Sequence, residues 1–237
     1  MSLLWKQIAV LFGKKEPSRE DLMALRAPRP EVDLPKSLQA IIRFAETKQI
    51  LDQLLYAKME RKARSIAVLS EFTQEGRTLM TAIISVGFSS LMRKKILVVD
   101  CSSVTNKSSL TLERLLEVED EGVAGMEEIR KTLTLNVSFL KLKDWAEHFG
   151  TIAEYDVKSI LDGPGKGFDL VIFDTSPMAA KNRNNIDPIA VARRCDASLL
   201  LVSPRTSSRS QLVNLRERIR REKLDLLGLM VNEGVLA

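Results

Sequence analysis

A chain of 237 residues with 45% hydrophobic content can build a substantial core, which excludes disorder over most of its length. Its 36 Lys and Arg against 31 Asp and Glu leave a net charge of +5, an excess that permits an anionic partner without requiring one. Two cysteines, Cys101 and Cys195, and one histidine, His148, exclude a disulfide framework, a grouped zinc site and a histidine-based triad. Carboxylates, cations and backbone amides are the chemistry that remains.

Residues 1–13, with Leu3, Leu4, Trp5, Ile8, Leu11 and Phe12 at helical spacing, predict a short apolar helix face that packs on its own domain or lies on a membrane or partner. Lys14 and Lys15 follow the apolar stretch instead of preceding it, which disfavours a secretory signal. No run reaches the roughly 18 apolar residues of a membrane span. The chain is therefore expected to be cytoplasmic, at most peripheral on the inner membrane. Pro17, Pro28, Pro30 and Pro35 among many charges make 14–37 a linker, so 1–37 is an extension and 38–237 the domain.

From Leu38 to Arg64 the apolar spacing predicts a long helix leading into a first strand, Ser65–Ser70. A loop from Glu71 to Thr78, a helix and the strand ending at Asp100 complete a βαβ unit. Further apolar runs at 135–142, Phe168–Asp174, Ala197–Ser203 and Leu226–Asn232 predict more strands, with helical patterns between most of them. Such alternation predicts a three-layer α/β fold with a mostly parallel central sheet, whose ligands sit beyond the carboxyl ends of the strands. Gly163, Pro164, Gly165 and Gly167 precede a strand, so they read as turn residues and not as a dinucleotide fingerprint.

The residues just after the strands carry the chemistry. Gly76-Arg77-Thr78 opens a helix directly after a buried strand, the place of a phosphate-binding loop. In such a loop, backbone amides and the helix N-terminus cradle phosphates, a lysine neutralises charge and a hydroxyl holds Mg²⁺. Asp100 and Asp174 end two other strands, where carboxylates serve Mg²⁺ and an attacking group, or simply cap turns.

Five landmarks in order then resemble the bacterial tyrosine kinases of capsule and exopolysaccharide systems, within the wider MinD/ParA-like P-loop ATPases. They are Thr73 to Thr78, Val98 to Ser102, Phe168 to Pro177, Asp187 to Ala192 with Asp196 to Val202, and Gly228 to Asn232. The resemblance covers about residues 38–237 and implies a P-loop NTPase fold. It implies ATP/ADP with Mg as cofactors, bound by Glu75, Gly76, Arg77, Thr78, Leu79 and Asn232, with Thr78 and Asp174 on the metal. It also implies Arg77, Asp100 and Asp174 as catalytic residues. A membrane-embedded chain-length regulator or secretion-system protein is the implied partner, with homo-oligomers expected and nucleic acid not.

Three positions depart from the family pattern: Gln74 for a glycine, Arg77 for the lysine and Ser102 for a second acid. Gln74 is expected to resist the left-handed conformation a glycine would take there. Arg77 brings a planar fork where the family has a point charge. These departures open a second reading, a catalytically degenerate pseudo-ATPase acting as a binding module. A third reading, a ParA/MinD-like positioning ATPase, would use the basic stretch Arg205 to Lys223, which otherwise reads as a solvated helix face over an apolar stripe of Leu212, Leu215 and Ile219. The family's glutamate- and arginine-rich ring-forming helix has no clear counterpart. With tyrosines only at Tyr56 and Tyr155, autophosphorylation of a tyrosine-rich tail is not expected. Tyr155 reads as surface packing. Cys101, beside Asp100, reads as a small buried residue and not as a nucleophile.

Overall fold

The computed structural model describes residues 36–43, 45–101, 111–123, 126–134, 136–143, 156–179 and 186–232. The amphipathic N-terminal segment, nearly all of the linker, Ser102, His148 and Tyr155 lie outside them.

The stretch expected as one helix is helical on both sides of residue 44, which lies outside the described residues, as α1 (Lys36–Arg43) and α2 (Ala45–Glu60). They lead into β1 (Ser65–Ser70), whose six residues are all buried. Next come α3 (Arg77–Met92), β2 (Ile96–Asp100), α4 (Leu112–Leu116), β3 (Val118–Val123), β4 (Met126–Thr132) and β5 (Val137–Lys141). After α5 (Asp156–Asp162), a 3₁₀ turn at Pro164–Gly167 uses the predicted turn glycines and feeds β6 (Leu170–Asp174). The chain continues through α6 (Pro188–Arg194), β7 (Ala197–Val202), α7 (Arg209–Arg221) and β8 (Leu226–Val231).

Among the described residues eight strands form one sheet in the order β3-β4-β5-β2-β6-β1-β7-β8. β4 runs antiparallel to both neighbours, and the other described pairings are parallel. Alternate strand residues feed two separate cores, as the period-two geometry of a strand requires. Ile66, Val68, Ile172 and Leu199 join the core under α1, α2 and α3. Ala67, Leu69, Phe173 and Leu200 join the core under α5, α6 and α7. Burial on both faces explains why the central strands are uninterrupted apolar runs.

The β3–β4 hairpin is the element that sequence periodicity does not reveal. Its strands, VEDEGV and MEEIRKT, carry charges where a buried strand carries apolar residues, and Glu119, Asp120 and Glu121 are exposed. A charged strand at the end of a sheet is the usual protection against edge pairing. Inside α3, Gly87 answers a packing demand, because an added Cβ would come within 2.4 Å of a Leu51 methyl of α2.

At the amino end of the sheet, acids staple strand starts together. The Asp196 carboxylate accepts from the backbone N–H of Arg64 and Ser65 and from the Ser65 hydroxyl. Asp169 accepts from Lys95 N and lies 3.5 Å from Lys94 Nζ. Arg64, Arg93, Lys94 and Lys95 are exposed there, as predicted for solvated charge.

Candidate phosphate loop and strand-end carboxylates

The topology brings the carboxyl ends of β1, β2 and β6 together, because β6 pairs with both of the others. Asp100 and Asp174 face each other in the β2–β6 register. Both are buried, at 8% and 1% exposure. The two strand-end acids selected from the sequence therefore lie side by side on neighbouring strands.

The loop that leaves β1 adopts the turn a phosphate loop needs. Gly76 sits at φ +89° and precedes the first turn of α3, which has no side-chain N-cap. Those first-turn N–H groups have no intrahelical acceptors, and they point outward with the positive end of the helix dipole. Gln74 also takes the left-handed conformation, at φ +63°, so its side chain does not deny the loop that shape. This corrects the sequence expectation, at an energetic cost of roughly 1 kcal/mol that glycine would avoid. Asn232, just after β8, donates from Nδ2 to the Glu75 carbonyl at 3.1 Å. A Cβ on Gly76 would lie 2.7 Å from that nitrogen, so only glycine fits.

Arg77 does not extend toward the mouth of the loop. Its Nε donates to Asp174 Oδ1 at 3.0 Å and its Nη1 to Ser70 Oγ at 2.7 Å. The two side chains are only 11% and 2% exposed. Thr81 Oγ1 approaches the same Asp174 oxygen at 3.5 Å while donating to the Arg77 carbonyl at 3.1 Å. The carboxylate expected to face Mg²⁺ is thus paired with the residue that replaces the family's lysine. In this arrangement it does not fit a magnesium ion, because a guanidinium already neutralises it. The backbone of Gly76 and the start of α3 do fit an anion. Thr78, in that first turn, is partly exposed, and its hydroxyl has no partner among the described residues. Leu79 is 6% exposed and its side chain packs in the core under the loop.

Glu75 performs a role that local sequence does not announce. Its side chain is buried at 1% exposure. Oε2 accepts from Phe72 N at 2.9 Å. Oε1 accepts from Ser203 N at 3.0 Å, Thr206 Oγ1 at 2.8 Å and Ser207 Oγ at 3.2 Å. Four donors, three of them from the turn between β7 and α7, hold one loop carboxylate, which is how a buried charge is made tolerable. The cluster Ser203, Thr206 and Ser207 directly after a strand is the signal that points to it. Nearby, burial pushes the Glu71 carboxyl above its usual range; Arg218, 3.6 Å away, opposes this and Glu75 adds to it. Burial, reinforced by Asp100 and Asp174, pushes the Cys101 thiol well up, so it is no thiolate nucleophile.

No family model matches the sequence, and neither does any curated protein. Solved structures do. The chimerical protein CapA2B2 superposes with a TM-score of 0.62 at 17% identity, over 91% of this chain and 98% of that one. The BceF tyrosine kinase domain gives 0.59 at 19% identity, over 78% and 75%. The fold is that of the BY-kinase domains. The cell division ATPase MinD of Pyrococcus furiosus shares it more distantly, at 0.52 and 23% identity over 70% of each chain. As a BY-kinase-like P-loop fold, the chain keeps the predicted three-layer architecture, with the phosphate-loop strand β1 between β6 and β7. No described helix is long and apolar enough to cross a membrane.

Proposed function

We propose that this chain is a P-loop protein whose phosphate site is neutralised by its own residues, serving as a binding module and not as an efficient kinase or ATPase. The observation that carries this reading is the buried pair between Arg77 and Asp174. To admit Mg-nucleotide, Asp174 must give up its guanidinium partner, and breaking a buried pair costs about 3–5 kcal/mol. A micromolar nucleotide site is worth about 8 kcal/mol, so what remains corresponds to affinity nearer the millimolar range.

The resemblance to capsule and exopolysaccharide kinases, together with the shared fold, supports a role in a bacterial polysaccharide or secretion system. There the module would serve a membrane-embedded chain-length regulator or secretion component at the inner face of the membrane. Calorimetry with Mg-ATP and Mg-ADP tests the reading. The native chain is expected to show no micromolar binding. The pair Gln74→Gly with Arg77→Lys is expected to raise affinity at least tenfold.

A second reading is favoured by the left-handed Gly76 and the unengaged Thr78 hydroxyl. Here Arg77 swings from Asp174 to the phosphates when nucleotide arrives, and the chain acts as a kinase-like ATPase. Micromolar binding by the native chain, with ADP formed from labelled Mg-ATP above an Asp174→Asn control, would establish it and overturn the first.

A further inference from the structure

The charge of this chain is unevenly distributed. The stretch from Arg205 to Lys223 holds seven cations and two acids, a net +5 equal to that of the entire protein. The hairpin stretch from Glu117 to Thr132 holds six acids and two cations, a net −4. The sheet order sets these two regions at opposite ends, β3 and β4 at one edge and the β7–α7–β8 crossover at the other.

Within α7 the cations sort by face. Leu215 and Ile219 are buried against the sheet. Arg218 turns inward to the Met178 carbonyl and Glu71, and Glu222 pairs with Arg193 of α6. At about 100° per residue, Arg209, Val213, Arg216 and Arg220 form one stripe on the flank turned away from α6. All four are exposed, Val213 at 54%, and the three arginines have no ion-pair partner among the described residues. Arg209, Val213 and Asn214 also line an open depression. The stripe is about 16 Å long at the helical rise, close to the length of a six-residue strand.

We propose that this face of α7 docks the acidic outer strand β3 of a second copy of the chain, in a head-to-tail contact. Complementary charge at opposite ends of one molecule generates a heterologous interface, in which each copy offers its hairpin to one neighbour and its helix to another. Arginine forks suit carboxylates in paired geometry. An apolar residue at the centre of the stripe suits a protein surface better than a phosphate backbone. No aromatic residue interleaves the cations, so base stacking is not on offer. The contact is independent of whether the phosphate site binds nucleotide.

Sedimentation of the full chain tests the proposal. At low ionic strength, about 0.05 M, concentration-dependent association is expected, weakening at least tenfold near 0.5 M as charges are screened. The triple reversal Arg209→Glu, Arg216→Glu, Arg220→Glu should be monomeric, and so should the double reversal Glu119→Lys, Asp120→Lys. These side chains are exposed, so each variant should keep the native circular dichroism and Tm. An equimolar mixture of the two should associate again, since the reversed helix of one now meets the reversed strand of the other. A native chain that stays monomeric at low salt, including one that instead binds DNA or anionic vesicles through the stripe, overturns the proposal. So does a mixture that fails to associate.

Discussion

The two ends of the sheet each pair a cation with an aspartate, to opposite effect. At the amino end, Lys94 and Asp169 meet at 3.5 Å with about half of each side chain in water, at 50% and 41% exposure. At the carboxyl end, Arg77 and Asp174 meet at 3.0 Å with almost none. Water screens the first pair and makes it nearly dispensable. It is excluded from the second, so neither partner there can be removed without stranding the other. What distinguishes the candidate site is therefore not the presence of charge but the withdrawal of solvent from it.

Four substitutions can break or sharpen that contrast. Arg77→Met should destabilise the fold most, by about 3–5 kcal/mol in urea unfolding, because Asp174 is left charged and buried. Adding Asp174→Asn should recover much of that loss; two independent losses that simply add would show that the pair is not coupled. Glu75→Gln should come next. It removes a charge held by four donors, and a loss of roughly 1–3 kcal/mol is expected from the same measurement. At the other end of the sheet, Lys94→Ala should change stability by less than about 0.5 kcal/mol. A larger effect would erase the distinction between the two ends.

A further small effect depends on pH. Glu71 has a raised carboxyl pKa in the folded state, caused first by burial. Below the unfolded value both states are protonated and the group is neutral to stability. As pH rises through the unfolded and then the folded pKa, the folded state becomes disfavoured. Glu71→Gln should therefore raise Tm slightly above pH about 4.5, with no gain below it. The gain stays under about 1 kcal/mol because the group is partly solvated.

The central strands, the βαβ unit and the two strand-end aspartates were legible because burial on both faces leaves an unbroken apolar run that stops at its acid. Hairpin β3–β4 was not, since an edge strand advertises itself by charge, and VEDEGV reads as a solvated segment until its neighbour is known. The position of Gly76 was legible from its place between a strand and a helix. The engagement of Arg77 was not, because Asp174 lies 97 residues away and only the β1–β6 pairing brings it near. Glu75 presents the same difficulty over longer separations, three of its four donors lying 128 to 132 residues along the chain. Gln74 shows the reverse case. Residue type alone argued against a conformation that the surrounding loop nevertheless imposes.

The contact between Leu51 and Gly87 has a mechanical consequence. The Leu51 methyls of α2 sit where a side chain of α3 would be, so the two helices pack closely there only because residue 87 is glycine. The first turn of α3 is the floor of the phosphate loop. Close packing of α2 on α3 thus depends on one missing side chain, in the helix whose first turn opens the phosphate loop. Gly87→Ala would force Leu51 or a helix backbone to shift without altering a single charge.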